Sequence, residues 1–192
     1  MALTTVLTGG LAADSVDNTI LKLDDDYALT GAITGATPIT HVDQWRLSAS
    51  FNGAATPIGS NLERVDTAGQ TTIGAAMTVS SGIFTFPVTG KWIVRANYFH
   101  SLNGTSRYQS HYLKVTLNNS DYVLMNEMIT FITQSEGATT YTGGVQEITL
   151  DVTNTSNVKC KFEIALSNSS VTTLGGSADN KTYFTFIRIG DT

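Results

Sequence analysis

The sequence predicts an all-β domain, a sandwich, barrel or jelly roll, behind a short acidic N-terminal segment. Three observations predict it. From residue 44 onward, apolar and polar residues alternate at period two in run after run, the pattern of half-buried strands. Turn-forming residues separate those runs at short spacing, which makes about eight strands. Sustained helical periodicity occurs nowhere, and a single helical turn around 61–65 or 126–132 is the most that fits.

Taken in chain order, an apolar run at 82–88 ends at Thr89-Gly90. In 91–100, Trp92, Val94, Ala96 and Tyr98 share a face. In 113–117, Leu113, Val115 and Leu117 face inward against Lys114 and Thr116, and Asn118-Asn119-Ser120-Asp121 closes the run. Residues 145–152 place Ile148, Leu150 and Val152 inward and Glu147, Thr149 and Asp151 outward. Residues 159–166 place Cys160, Phe162, Ile164 and Leu166 on one face. Asn52-Gly53, Asn103-Gly104 and Gly143-Gly144 read as turns, because such pairs adopt positive φ at low cost. The Ser/Thr/Asn-rich stretch 167–180, broken by Gly175-Gly176, reads as a long surface loop. The last run, Tyr183 to Ile189, is apolar on both faces. It is either a central strand covered on both sides or a strand at a subunit interface.

Residues 1–40 differ in kind. Asp14, Asp17, Asp24, Asp25 and Asp26 stand against Lys22 alone, so this segment holds most of the chain's net charge of −5. Its hydrophobics, Ile20, Leu21, Leu23, Leu29 and Ile33, are too few for a core. Such a segment gains order by docking on a partner or by intertwining with its own copies. The expected division is therefore 1–43, an anchoring and docking arm, and 44–192, the head domain. The docking residues of the arm are Leu21, Leu23, Asp24, Asp25, Asp26 and Tyr27.

Composition narrows the function. Charged residues are 14 % of the chain and no basic stripe exists, which argues against nucleic acid. No apolar run approaches the roughly 20 residues of a membrane helix. One cysteine, Cys160, permits no internal disulfide, and its inward parity reads as a small core hydrophobe. The start Met-Ala-Leu-Thr-Thr lacks the basic and apolar regions of a secretion signal, so cytoplasmic synthesis and folding are expected.

No motif carries catalysis. His41, His100 and His111 have neither His-x-His nor His-x-x-x-His spacing, so no metal site is expected. There is no Gly-x-Ser-x-Gly elbow. Of Glu63, Glu127, Glu136, Glu147 and Glu163, the two on clear strands, Glu147 and Glu163, face outward rather than into a cleft. Asp24-Asp25-Asp26 lacks the alternate spacing and turn glycine of a calcium loop, and reads as a solvated acidic turn. The chain is expected to be no enzyme and to need no cofactor. Tyr108, Tyr112 and Tyr141 fall outside the inferred core faces. With Asn, Ser and Gly around them they suit recognition of sugars or protein surfaces.

Two resemblances sharpen this reading. Gly82-Ile-Phe-Thr-Phe-Pro-Val-Thr-Gly90-Lys-Trp-Ile-Val resembles the signature of the trimeric jelly-roll heads of the first complement component, relatives of the tumour-necrosis-factor cytokines. The Pro-Val order is swapped here. Phe84, Phe86, Gly90 and Trp92 are the core positions of that motif. Tyr183-Phe184-Thr185-Phe186 is similar to that family's last strand, which lines the trimer axis. The resemblance covers about 45–192 and implies a trimeric jelly-roll β-sandwich of about eight to ten antiparallel strands. It also implies a trimer interface at Tyr183, Phe184, Phe186 and Ile187. Within 11–36, Leu-Ala-Ala-Asp-Ser-Val-Asp-Asn-Thr-Ile and Asp-Asp-Asp-Tyr-Ala-Leu-Thr-Gly-Ala-Ile-Thr-Gly-Ala are similar to stretches in tail-fibre and other virion proteins of bacteriophages.

Together the resemblances imply a phage virion protein, assembled in the host bacterial cytoplasm and displayed on the virion surface. The expected partners are its own copies, other tail or capsid proteins through the arm, and a host surface glycan or protein. Attachment to the host, as in a tail fibre, is the first expectation. Capsid decoration or cementing is the alternative, and a polysaccharide depolymerase the remote one.

Overall fold

The structure, a computed structural model, describes residues 39–67 and 69–192. Its strands are β1 (His41–Leu47), β2 (Ala49–Asn52), β3 (Leu62–Arg64), β4 (Thr78–Ser80), β5 (Ile83–Thr85) and β6 (Gly90–Leu102). They continue as β7 (Ser106–Thr116), β8 (Tyr122–Ile132), β9 (Thr140–Val152), β10 (Lys159–Leu166), β11 (Thr172–Gly176) and β12 (Tyr183–Gly190). Among the described residues there are thus twelve strands rather than eight to ten, and no helix. A seven-stranded sheet runs β2-β11-β6-β12-β1-β3, with β9 on the opposite edge of β6. A five-stranded sheet runs β4-β5-β10-β7-β8. All strand pairs are antiparallel.

The period-two runs form the strands that line the core. Trp92, Val94, Ala96 and Tyr98 on β6, Leu150 and Val152 on β9, and Phe184 and Phe186 on β12 face across to Leu113 and Val115 on β7 and to Cys160, Phe162 and Ile164 on β10. Phe84 is the hub. Its ring lies 5.6 Å from Phe162, 5.8 Å from Phe184 and 5.1 Å from Phe186, tilted or edge-on to each. Those are the arrangements that aromatic quadrupoles favour. Phe162 and Phe184 stack at 4.2 Å across the sheets.

Several features depart from the sequence reading, each for a physical reason. Gly143-Gly144 is no turn: both lie inside β9, paired without a break to β6. These glycines provide room, since a Cβ on Gly143 would come within 2.9 Å of the Tyr98 carbonyl oxygen, and one on Gly144 would overlap the Met128 side chain. The 167–180 stretch contains β11, because Val171 and Thr173 bury and β11 bridges β2 and β6. Threonine's β-branched shape suits a strand where a compositional reading sees a loop. The segments at 61–65 and 126–132 hold strands β3 and β8, not helical turns. Leu117 lies just past β7 and is exposed. His41, Val42 and Asp43, expected in the arm, begin β1 and pair with β12.

The two-faced last strand has a divided answer. β12 is central, flanked by β6 and β1. Its inward residues Phe184 and Phe186 are fully buried in the protomer's own core, so these two cannot form a subunit contact. Tyr183, Thr185, Ile187 and Ile189 alternate with them and point outward, and Ile189 is exposed. Among the described residues no helix is long and apolar enough to cross a membrane.

Candidate functional site: an apolar edge, an apolar face and a buried histidine pair

One side of the sandwich ends in two edge strands. β8 closes the five-stranded sheet and β9 the seven-stranded one. They lie together, because the Gln146 amide of β9 donates to both the backbone oxygen and Oδ1 of Asn126 on β8, at 3.3 Å each. Asn126 Nδ2 donates in return to the Glu147 carbonyl, also at 3.3 Å. Soluble proteins commonly protect such edges with charge or proline. Here β8 exposes Val123, Leu124, Met125, Ile129 and Phe131, and β9 exposes Tyr141 and Val145. Their exposure runs from 44 % at Leu124 to 67 % at Phe131. A bulge at Met125, between the Leu113–Asn126 and Lys114–Leu124 pairs, adds one more apolar side chain to the row.

The second surface is the outward face of the seven-stranded sheet. Register places Tyr183 beside Asn97 and Ile187 beside Ile93 on β6. Ile187 also pairs with Val42 on β1. Phe99 continues this face and stacks on Tyr141 at 5.7 Å. Arg95 lies within this face, between Ile93 and Asn97, and its charge is matched by Glu147 at 2.6 Å. Tyr141 and Val145 of β9 join this face to the edge, whereas the β8 row belongs to the other sheet, so a contact between the β8 row and the β12/β6 face is heterologous.

Inside the sandwich, the end behind this edge is polar. His100 on β6 and His111 on β7 are fully buried and join the two sheets, Nε2 to Nε2, at 2.7 Å. His111 Nδ1 is 3.1 Å from the Met128 carbonyl, which can only accept. That fixes His111 as the Nδ1–H tautomer, with His100 Nε2–H donating to His111 Nε2. His100 Nδ1 then accepts from the Thr173 hydroxyl at 3.2 Å. Tyr98 packs its ring 4.1 Å from His111 and donates its hydroxyl to Gln146 at 2.7 Å. Burial, and for His100 also the charge of its neighbour, lowers the two imidazoles to about 3 for His100 and about 4 for His111. Their separation is that of a hydrogen bond, shorter than the roughly 3.3 Å between two nitrogens on one tetrahedral zinc. Among the described residues no group of three metal-ligating side chains converges.

The other sequence-chosen residues fall as follows. Phe84, Phe86 and Trp92 are in the core, and Gly90 opens β6 at φ 139°. Tyr141 and Tyr108 are exposed and Tyr112 is half-buried. Glu63 is held by Arg46, Glu147 by Arg95, and Glu163 by both Lys114 and Lys161. Leu21, Leu23, Asp24, Asp25, Asp26 and Tyr27 lie outside the described residues. The histidine pair was missed, although parity held the signal: His100 extends the inward face of Trp92, Val94, Ala96 and Tyr98.

No protein-family model and no curated protein matches this sequence. Solved structures do match in shape. The Eiger TNF of S. frugiperda aligns at a TM-score of 0.58 and 10 % identity, covering 81 % of this chain and 96 % of that one. Murine APRIL, in its structure at pH 5.0, aligns at 0.53 and 9 % identity, covering 78 % and 98 %. At such identity the likeness is one of fold, and the described residues form an all-β jelly roll of the tumour-necrosis-factor type.

Proposed function

We propose that this chain is a non-enzymatic phage virion protein whose jelly-roll head forms a homotrimer and attaches the particle to the host cell surface. The single observation behind the trimer is the exposed apolar row of the β8/β9 edge, set against an outward β12/β6 face that carries Tyr183, Ile187 and Ile93 among Thr185, Arg95 and Asn97. An edge-to-face contact repeats head to tail, and it either closes into a ring or runs on as a fibre. A ring of three is what the complement-head resemblance implies. Tyr183 and Ile187 contribute to that contact, while Phe184 and Phe186 support it from within the protomer. The virion setting rests on the resemblance of residues 11–36 to phage proteins, with the segment ahead of β1, residues 1–40, as the docking element. Three identical heads on one ring give a weak receptor site the avidity that attachment needs.

Light scattering after size exclusion tests the assembly. A mass of three times 20.5 kDa is expected, and a monomer persisting at high concentration would sink the proposal. Antibody labelling of virions tests the location. Label at the tail fits attachment, whereas label over the capsid replaces it with capsid decoration. Host polysaccharide incubated with the protein is expected to yield no new reducing ends.

A further inference from the structure

We propose that the His100–His111 pair is an acid-operated wedge, which opens the β8/β9 end of the sandwich when both rings are protonated. The inference rests on the reading of that edge as the subunit contact, and it names how the contact is regulated.

The argument is one of hydrogen counting. In the neutral pair the donors run in one direction, from Thr173 through His100 and His111 to the Met128 carbonyl. One added proton fits. His100 moves its hydrogen to Nδ1 and donates to the Thr173 oxygen, and His111 Nε2–H donates to His100 Nε2. A second proton does not fit, because two N–H groups then face each other across 2.7 Å with like charge on both rings. The rings belong to opposite sheets, β6 and β7, so relief requires the sheets to part there.

The surroundings offer no other outlet. On β6 the neighbour is Tyr98, whose hydroxyl is engaged by Gln146 of β9. The same Gln146 donates to the His111 carbonyl at 3.3 Å. β11 presents Thr173, β8 presents Met128, and β10 sets Ile164 beside His111 in register. Cys160 of β10 and Tyr98 are the titratable side chains inside this part of the sandwich, and burial keeps both protonated and uncharged. No carboxylate or ammonium contributes to the shift of either imidazole, so nothing within reach neutralises a doubly charged pair. Burial alone already resists the first proton. The ties that would break are those that cross between the sheets at the apolar edge, because Gln146 of β9 donates to Asn126 on β8 and to the His111 carbonyl on β7. Trp45 and Trp92 pack around Phe84 and Phe86 in the apolar part of the core, and report on whether that part stays folded.

The test follows assembly by light scattering, β8 amide hydrogen exchange and tryptophan emission on the full chain from pH 7 to pH 1.5. Imidazole ¹⁵N spectra give the charge of each ring. In the wild type, loss of assembly and of β8 protection should coincide with double protonation and precede any change in tryptophan emission. In His100→Gln, or in His111→Gln, one imidazole remains and no repulsion can arise, so the same losses should move at least one pH unit lower, a tenfold change in proton concentration. Equal midpoints in wild type and variants overturn the proposal. So do ¹⁵N shifts of two neutral rings at the pH where the edge opens, a readout that needs no variant to fold. A protein monomeric at neutral pH removes the trimer reading alone, and β8 exchange in that monomer still decides whether the wedge exists.

Discussion

Replacing Phe131 with Ser should separate the proposed assembly from folding. Phe131 is 67 % exposed on β8. A phenylalanine offers on the order of 200 Å², so full cover by a neighbouring copy removes about 130 Å² more from water, worth about 3 kcal/mol at 25 cal/mol per Å². A closed ring repeats the contact three times. Phe131→Ser should therefore cost the trimer about 10 kcal/mol, roughly seven decades in its dissociation constant. The isolated protomer should change by no more than about 0.5 kcal/mol, as surface replacements do. Phe186→Ala is the mirror case, since this ring is fully buried within the protomer and its loss should cost the fold about 3–5 kcal/mol. A light-scattering dilution series paired with denaturant unfolding reads both quantities. An unchanged dilution profile for Phe131→Ser would refute the edge as the contact, and an unchanged unfolding midpoint for Phe186→Ala would refute the assignment of β12 to the core.

Other outcomes follow from single sites. His100 and His111 are held at about 3 and about 4 in the fold, against about 6.5 in the unfolded chain. The unfolded state thus binds more protons as pH falls, and stability intact above about pH 6.5 is lost toward the folded values. Between pH 7.5 and pH 5 the pair should remove about 4 kcal/mol, a loss that denaturant unfolding at the two pH values measures. For Glu163, burial raises the carboxyl, and the Lys114 and Lys161 ammoniums more than offset this and hold it below its ordinary range. Lys114→Met with Lys161→Met should cost about 3 kcal/mol at pH 7, and adding Glu163→Gln should restore most of it in the same assay. Gly82 sits at φ 79°, where a Cβ would overlap the Ile58 carbonyl, so Gly82→Ala should lower stability by about 2 kcal/mol or more.

The fold was legible wherever one strand face is wet and the other dry. Residues 145–152 show their inward face directly, because solvent imposes the alternation, while 159–166 keep the same parity although Glu163, expected on a wet face, is buried between Lys114 and Lys161. The 167–180 stretch was not legible, since β11 is defined by partners distant in sequence, β2 and β6, and by small hydroxylated residues. The glycines of β9 misled for a related reason: their purpose is the Met128 side chain and the Tyr98 carbonyl, which only the assembled sheet brings near. The apolarity of Tyr183 to Ile189 was plain, but pattern could not say which ring met core and which met surface. The exposed row on β8 was invisible because its bulge breaks the period at Met125. The histidine pair needed the register of β6 and β7 across the sandwich.

The two ends of the interior should also differ in their tolerance of change over evolutionary time. Around Phe84 the contacts carry no hydrogen bonds, so one hydrophobe of similar volume can stand in for another, and neutral drift there can go step by step. Around His100 and His111 the side chains are joined by directional hydrogen bonds, and a lone replacement strands its neighbour, so lineages should change Tyr98, His100, His111, Gln146 and Thr173 as a block or hold them fixed. Sequencing the survivors of a randomised interior library would then show a permissive half and a covarying half in the same small domain.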